Sequence, residues 1–247
     1  MSHISVVLPF YYATPMIFGS LQSLADQSSQ DFDLLFFCEP ELWDMHSPTL
    51  GPVMAELGLT TRVTVMPITW DPTWITHSLN EAVLLASGPI IVLWDETSTF
   101  SHPYLSCVVE DFAHHPGQNV LISGKQLCLR GEEAPYGFHV DDARGSPDRG
   151  WIRAWGTGGA ILRHDWMMIG GFSEQVHGGP GSDDDFTYRL ALAGFRRIID
   201  HRMIFVHGPH PYPPPQNTEA CIASGELHSG DMEYAYYSDP SRILIIR

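Results

Sequence analysis

Short, continuous apolar runs alternate with amphipathic stretches through the first part of the chain. The runs lack the polar alternation of a half-exposed strand and therefore predict buried strands at residues 4–9, 33–38, 61–66 and 90–94. Apolar residues at helical spacing predict two helices between these strands. Their expected inward faces carry Phe18, Leu21, Leu24 and Ala25 in the first helix, and Leu79, Ala82, Val83 and Ala86 in the second. This order is typical of a mostly parallel sheet covered by helices on both faces, so we predict an α/β fold.

The second half of the chain has a less regular pattern. Its predicted elements are a helix at 102–114, strands at 120–128, 195–199 and 203–207, and a long polar loop at 131–150. A proline cluster then interrupts regular structure after residue 208. We find no internal repeat and no linker before this cluster, which favours one domain over residues 1–215 and a separate tail at 216–247.

An acidic stretch, Ser182-Asp183-Asp184-Asp185, follows a glycine-rich segment and begins a predicted helix that ends at Gly194. Carboxylates in a first helical turn commonly do no more than satisfy unpaired N–H groups and the helix dipole. A second acidic turn, Asp95-Glu96, closes the strand at 90–94. Carboxylates presented from two distant loops can handle a metal and a proton, so the acidic stretch has both a structural and a catalytic interpretation.

Composition limits the partners of such a site. The chain carries 13 basic and 29 acidic residues, a formal net charge of −16. This charge repels nucleic-acid phosphates and anionic lipid, so we expect no nucleic-acid partner. An anionic ligand would have to be bound locally, through a cation, a helix N-terminus or a few arginines.

Several other classes of protein lack support in the sequence. The four cysteines are widely spaced, which indicates free thiols rather than a zinc site or a disulfide scaffold. There is no secretion signal and no apolar run long enough to span a membrane, so we expect a soluble, cytoplasmic protein. Neither a dinucleotide fingerprint nor a phosphate-binding loop of the GKS/T type is present.

Six segments, in this order along the chain, together resemble the inverting GT-A glycosyltransferases of family two. They are residues 6–9, 80–88, 91–95, 158–159 and 170–174, and the pattern Asp183-x-Asp185-Phe186-x-x-Arg189-Leu190-x-x-x-Gly194-Phe195. The resemblance implies a GT-A fold with a Rossmann-like, mostly parallel sheet, a nucleotide-binding half at 1–97 and an acceptor-binding half at 98–208. It also implies transfer of a sugar from a nucleotide diphosphate donor to an acceptor hydroxyl, with a divalent cation, Mn²⁺ or Mg²⁺.

The resemblance assigns roles residue by residue. It places Asp95 at the metal and the donor ribose, His207 and Thr97 at the metal, and Asp183 as the general base, with Asp184 or Asp185 as alternative bases. The donor pocket would comprise Pro9, Phe10, Tyr11, Glu39, Asn80, Trp94, Asp95 and Glu96. Acceptor contacts would come from Trp151, Trp155, Gly158 and Gly159, because tryptophan rings can stack on a sugar and glycines let a ligand approach the backbone.

Some positions depart from the family pattern. Thr97 stands where a second metal-binding acid is usual, and hydroxyls are poorer ligands than carboxylates for a hard cation. Ser182 replaces a glutamate, Leu79 an arginine that contacts the diphosphate, and Tyr12 an asparagine. These departures keep a second hypothesis open, a degenerate relative that binds nucleotide or glycan without turnover. A nucleotidyltransferase ranks last, because residues 10–14 are not a glycine-rich, basic loop.

The sequence does not select the substrates. A UDP-sugar is the expected donor, with GDP- and dTDP-sugars as alternatives, and the acceptor is a small molecule, an oligosaccharide or a lipid-linked sugar. A homodimer is left open.

Overall fold

The computed structural model describes residues 3–10, 14–67, 75–128, 158–173, 186, 189–190, 192–208 and 243–246 of the 247-residue chain. For residues 66–67, 75, 126–128 and 243–246 it describes the backbone only. The strands are β1 (Ile4–Pro9), β2 (Phe32–Cys38), β3 (Val63–Pro67), β4 (Ile90–Leu93), β5 (Ser98–Phe100), β6 (Val120–Cys128), β7 (Ala160–Leu162), β8 (Arg196–His207) and β9 (Ile243–Ile246). The helices are α1 (Ile17–Ala25), α2 (Pro40–Glu56), α3 (Ile75–Leu85), α4 (Tyr104–His114) and α5 (Arg163–Ile169), and residues 186, 189–190 and 192 are also helical.

The described strands form one sheet in the order β3-β2-β1-β4-β7-β6-β8-β5, with β9 added beside β8. Strands β1 to β4 pair in parallel with one another, as do β6 with β8 and β8 with β9. Strands β5 and β7 are antiparallel to their neighbours. Strand β7 is antiparallel to both β4 and β6, so β4 and β6 run in the same direction. Because β8 is parallel to β6, it ends at the same edge of the sheet as β1, β2 and β4. We call this the carboxyl edge and the opposite one the amino edge.

Apolar side chains pack on both faces of this sheet, as the continuous apolar strands predicted. One cluster contains Val6, Leu8 and Phe10 with residues of α1 and α4, and the other contains Val7 and Leu93 with Trp166 and Phe186. Adjacent residues of β1 point to opposite faces, so both faces must be covered to exclude water. The predicted mostly parallel α/β sheet is therefore confirmed. None of the described helices is long and apolar enough to cross a membrane.

Three local predictions were wrong. The buried face of α1 carries Ile17, Ser20, Leu21 and Leu24, whereas Phe18 is 37% exposed, because a helix turn places Ile17 rather than Phe18 in line with Leu21 and Leu24. Helix α2 was not predicted, since its apolar pattern is weak and two prolines lie inside it.

The third correction concerns β8, which was expected as two separate strands. It is one strand whose register against β6 shifts after Asp200, where Gly124 pairs with Asp200 and Lys125 pairs with Ile204. The Asp200 side chain accepts a hydrogen bond from the Arg202 backbone N–H at 2.8 Å, which stabilises the irregular segment. The polar interruption in the sequence is a bulge rather than the end of a strand.

A buried carboxyl pair joins α4 to this bulge. Asp111 and Asp200 have fully buried side chains, and Arg202 contacts both, Asp200 at 2.6 Å and Asp111 at 3.5 Å. Arg202 also pairs with the exposed Glu110 at 2.8 Å. Burial and the neighbouring Asp200 charge raise the pKa of Asp111 to about 7, so Asp111 is largely protonated below neutral pH.

This pair predicts a pH-dependent contribution to stability. Folded Asp111 binds a proton that the unfolded chain releases near pH 4, so its contribution to the free energy of unfolding is present at low pH and falls as pH rises through about 7. The Asp111→Asn side chain resembles the protonated acid. The free energy of unfolding of this variant, relative to that of the wild type, should therefore be about 1–3 kcal/mol larger at pH 8 than at pH 5. Urea unfolding of both proteins at the two pH values measures this difference.

Glu110→Gln is the matched control, because it removes an exposed partner of the same arginine and should change the pH dependence little. An Asp111→Asn variant with the same pH dependence as the wild type would contradict the raised pKa of Asp111.

Candidate functional site

Asp95 lies at the carboxyl edge, just beyond β4, and its backbone is held from two sides. The N–H of the preceding Trp94 donates to the Val7 carbonyl at 2.9 Å, which extends the pairing of β4 with β1. Ser20, on the buried face of α1, donates its hydroxyl to the Asp95 carbonyl at 2.7 Å. No sequence pattern indicated Ser20, because its role depends on the packing of α1 against this turn.

The Asp95 carboxylate forms a cluster with Thr97 and His207. Its Oδ1 atom accepts hydrogen bonds from the Thr97 N–H at 2.8 Å and the Thr97 hydroxyl at 2.9 Å. Its Oδ2 atom lies 3.2 Å from His207 Nε2, which is 3.5 Å from the Thr97 hydroxyl. Antiparallel pairing of β5 with β8 places Ser98 opposite His207 and so brings the end of β8 beside the turn. The three residues predicted at the metal therefore lie together.

The cluster holds Asp95 as an anion. Burial raises the pKa of Asp95. The hydrogen bond and positive charge of His207, together with the two hydrogen bonds from Thr97, outweigh burial and lower this pKa to about 2. The carboxylate is therefore ionised at any ordinary pH. Side-chain exposures of 14% for Asp95 and 16% for His207 leave both within reach of a ligand.

The donor atoms of this cluster suit a divalent cation that would also contact a phosphate group. A carboxylate is a preferred ligand of Mg²⁺ and Mn²⁺, an imidazole nitrogen suits Mn²⁺, and the Thr97 hydroxyl is a weaker ligand. Among the residues that the structure describes, no three His, Cys, Asp or Glu side chains converge on one metal position. Asp95 and His207 are therefore the residues that would hold such a cation, one through a carboxylate and the other through an imidazole.

The other predicted donor residues lie near the carboxyl ends of β1 and β2. Pro9 is the last residue of β1, but the Phe10 side chain is buried in the core, where its ring is 5.5 Å from Phe36. Glu39 precedes α2 at the end of β2 and is partly exposed. Tyr11 lies outside the described residues.

Glu96 and Trp94 are both buried beside the Asp95 turn. Burial, and then the charges of Glu39 and Glu96, raise the pKa of the Cys38 thiol to about 12. Cys38 is therefore an un-ionised buried thiol, as predicted. Trp94 is 1% exposed and stacks on Phe100 at 3.6 Å between ring centroids, so its indole ring is part of the core.

The glycines predicted at the acceptor are buried against β4 and the core. Gly158 donates its N–H to Leu93, and the Gly159 carbonyl accepts from the Leu93 N–H, both at 2.9 Å. The Gly158 carbonyl accepts from the Tyr104 hydroxyl, and a Cβ atom at Gly158 would lie 2.5 Å from that oxygen. Close packing thus explains glycine at 158, and its contact with an acceptor stays a prediction. Trp151 and Trp155 lie outside the described residues.

Of the predicted acidic helix, the structure describes residues 186, 189–190 and 192–194, so Asp183 and Asp184 lie outside the described residues. Phe186 and Leu190 are completely buried, and Gly194 has a φ of 82°, in agreement with its predicted role as the residue that ends the helix. Asn80, predicted in the donor pocket, hydrogen-bonds Phe172 through both ends of its amide, at 2.9 Å each.

Comparison with known proteins identifies the fold. No protein-family model matches the sequence, and no curated protein sequence matches it. Solved structures do match. S. aureus TarS 1-349 in complex with UDP-GlcNAc has a TM-score of 0.66 at 14% identity, covering 97% of this chain and 72% of that one. The Pyrobaculum calidifontis mannosyltransferase PcManGT with GDP-Man and Mn²⁺ has a TM-score of 0.64 at 16% identity, covering 97% and 71%.

A third structure, GalNAc-T7 with UDP, GalNAc and Mn²⁺, has a TM-score of 0.69 at 12% identity. Our chain spans 51% of GalNAc-T7 and 43% of the longer TarS structure. The match to PcManGT covers 97% of our chain. The chain therefore has the GT-A fold of nucleotide-sugar glycosyltransferases.

Proposed function

We propose that this protein is an inverting glycosyltransferase that moves a sugar from a nucleoside diphosphate to an acceptor hydroxyl. The observation that carries the proposal is the Asp95, Thr97 and His207 cluster at the carboxyl edge of a GT-A sheet. In open α/β sheets, ligands bind at this edge. Structures with the same fold contain UDP-GlcNAc in one case and GDP-Man with Mn²⁺ in another, which supports a nucleotide-sugar donor.

In this proposal Asp95 and His207 hold a divalent cation, Mn²⁺ or Mg²⁺, together with the donor diphosphate. Such a cation supplies charge neutralisation to the leaving nucleoside diphosphate. The ionised Asp95 and the formal net charge of −16 add no net positive charge to the site, which favours a bound cation for this purpose. Pro9, Tyr11, Glu39 and Glu96 would line the nucleoside pocket, and Phe10, Trp94 and Asn80 would support it from behind.

Asp183 is the proposed general base, with Asp184 as the alternative. It accepts the proton of the acceptor hydroxyl as the hydroxyl oxygen bonds to the anomeric carbon. The bond from that carbon to the diphosphate oxygen breaks, and the nucleoside diphosphate leaves with the electron pair. Attack opposite the leaving group inverts the configuration. Helical residues 186, 189–190 and 192 precede β8, which begins at the amino edge. We propose that the acidic stretch, earlier in the same predicted helix, lies toward the carboxyl edge.

We further propose that residues 1–97 bind the donor and residues 98–208 the acceptor, with Trp151, Trp155, Gly158 and Gly159 on the acceptor side. The acceptor would be a small molecule, an oligosaccharide or a lipid-linked sugar, and the protein would act in the cytoplasm.

Calorimetric titration with UDP, GDP and dTDP, each with and without Mn²⁺, tests the proposal. We expect one nucleotide to bind, and to bind at least about tenfold more tightly with Mn²⁺, because a cation held by Asp95 and His207 would neutralise the charge of the diphosphate. Equal binding without metal would contradict the cation site. Binding of none of the three would contradict the donor site.

A second candidate is a protein that binds nucleotide or glycan without turnover. Thr97 favours it, because its hydroxyl is bound to Asp95 and is a poor substitute for a second metal-binding carboxylate. Binding of a nucleotide sugar without its hydrolysis or transfer would select this candidate.

A further inference from the structure

The loop at residues 170–172, directly after α5, is held from two sides by directional hydrogen bonds. Gly170 and Gly171 both have positive φ, 81° and 67°. On one side, Asn80 of α3 accepts from the Phe172 N–H and donates to the Phe172 carbonyl, both at 2.9 Å. One amide thus satisfies both backbone groups of Phe172 and fixes the loop relative to α3.

On the other side, the same loop is hydrogen-bonded by a residue of the helix that follows the acidic stretch. Arg189 donates through Nη1 to the Ile169 carbonyl at 2.9 Å and through Nη2 to the Gly171 carbonyl at 2.7 Å. Its guanidinium also lies over the Phe186 ring at 5.4 Å. A planar fork that bonds two carbonyls constrains both the distance and the orientation of the helix.

Aromatic side chains pack against one another beneath these hydrogen bonds. The Phe186 ring lies 4.8 Å from that of Trp166 and 4.9 Å from that of Phe172. A Cβ atom at Gly171 would lie 2.2 Å from Asn80 Oδ1 and 2.8 Å from Trp166 Nε1. This close packing opposes a shift of the loop and holds Phe186 and Arg189 in place relative to α3 and α5.

We propose that Arg189 and Asn80 are positioning residues for the acidic stretch. Asp183 precedes Phe186 by three residues, so its Cα atom lies within about 11 Å of that buried anchor. A base must stand within hydrogen-bond reach of its proton, and a displacement of about 1 Å can lower a rate about 100-fold. The inference rests on the proposed function, with Asp183 as the base, and adds the frame that holds it.

Arg163 provides a matched control. It also donates to two backbone carbonyls, those of Val83 at 3.0 Å and Leu84 at 2.7 Å, but at the amino edge, away from the cluster. We expect Arg189→Ala to lower kcat about 100-fold with donor affinity and donor KM within about twofold of the wild type. Arg163→Ala should lose a similar amount of thermal stability and keep its kcat within about twofold.

Two further variants separate positioning from general destabilisation. Arg189→Lys keeps the charge but not the fork, and Asn80→Asp loses the donor to the Phe172 carbonyl, so both should fold with intermediate losses of kcat of about tenfold. In an Asp183→Asn background, Arg189→Ala should cause no further loss, because the base through which it acts is already absent.

Independent, additive losses in that double variant would overturn the inference, as would an unchanged kcat in Arg189→Ala and Arg189→Lys. Parallel losses of kcat in Arg189→Ala and Arg163→Ala would reduce Arg189 to a stabilising residue. A wild-type protein that binds nucleotide sugar but transfers nothing would overturn the proposed function and this inference together. A wild-type protein that turns over while Arg189→Ala is unaffected would overturn this inference alone.

Discussion

Asp95→Asn is expected to abolish cation-dependent sugar transfer, with a loss of kcat/KM of about 1,000-fold or more. The amide keeps the shape of the side chain and can still accept from Thr97, but it has no charge to attract a cation or to pair with His207. Because the pKa of Asp95 is lowered to about 2, the wild-type carboxylate is fully ionised above pH 4, and the loss should be the same across the neutral range. Initial rates measured against Mn²⁺ concentration at several pH values test this.

Asp26→Asn is the control for Asp95→Asn. It removes the same charge from an exposed position at the end of α1, near the amino edge, and should leave the rate unchanged. If Asp95→Asn retained Mn²⁺-stimulated turnover, the cation would have to bind elsewhere and the central observation of the proposal would lose its meaning.

Asp183→Asn is expected to lower kcat by about 100- to 10,000-fold, the usual contribution of a general base. Donor affinity should be unaffected, since in the proposed mechanism this side chain contacts the acceptor hydroxyl and not the nucleotide. Single-turnover transfer measured beside calorimetric donor titration separates the two quantities.

The neighbouring acids supply the comparison for Asp183. Asp184→Asn and Asp185→Asn make the same chemical change one and two residues further along the same stretch. A full loss in Asp184→Asn with an active Asp183→Asn would transfer the role of base to Asp184. Full activity in all three variants would exclude a base in this stretch.

Local sequence patterns predicted much of the fold. The strands were predictable because a strand buried on both faces must be apolar at every position, as at Ile4–Pro9 and Ile90–Leu93. Helix α3 was predictable because Leu79, Ala82, Val83 and Ala86 recur at helical spacing and are buried. Helix α2 escaped prediction because only Leu50 and Met54 are buried along its 17 residues, so packing left little periodicity in the sequence.

The residues of the candidate site were easier to predict from the sequence than the contacts between them. Acidic residues after a buried strand indicated Asp95, and the resemblance to a known family added Thr97 and His207. The structure shows that these three side chains touch. It also shows that Phe10 and Trp94, predicted at the donor, direct their rings into the core. Their direction depends on which face of the sheet α1 and α4 cover, which no local pattern specifies.

Local sequence is sufficient to predict the strands that are buried on both faces and the acidic turn that closes β4. These properties depend on the apolar or polar character of residues that are close in the chain. Tertiary packing is needed to place His207 beside Asp95, to bond Asn80 to Phe172, and to bond Arg189 to the loop after α5. Those contacts join residues far apart in the chain, and they depend on strand register and helix packing, which form only when the whole sheet is assembled.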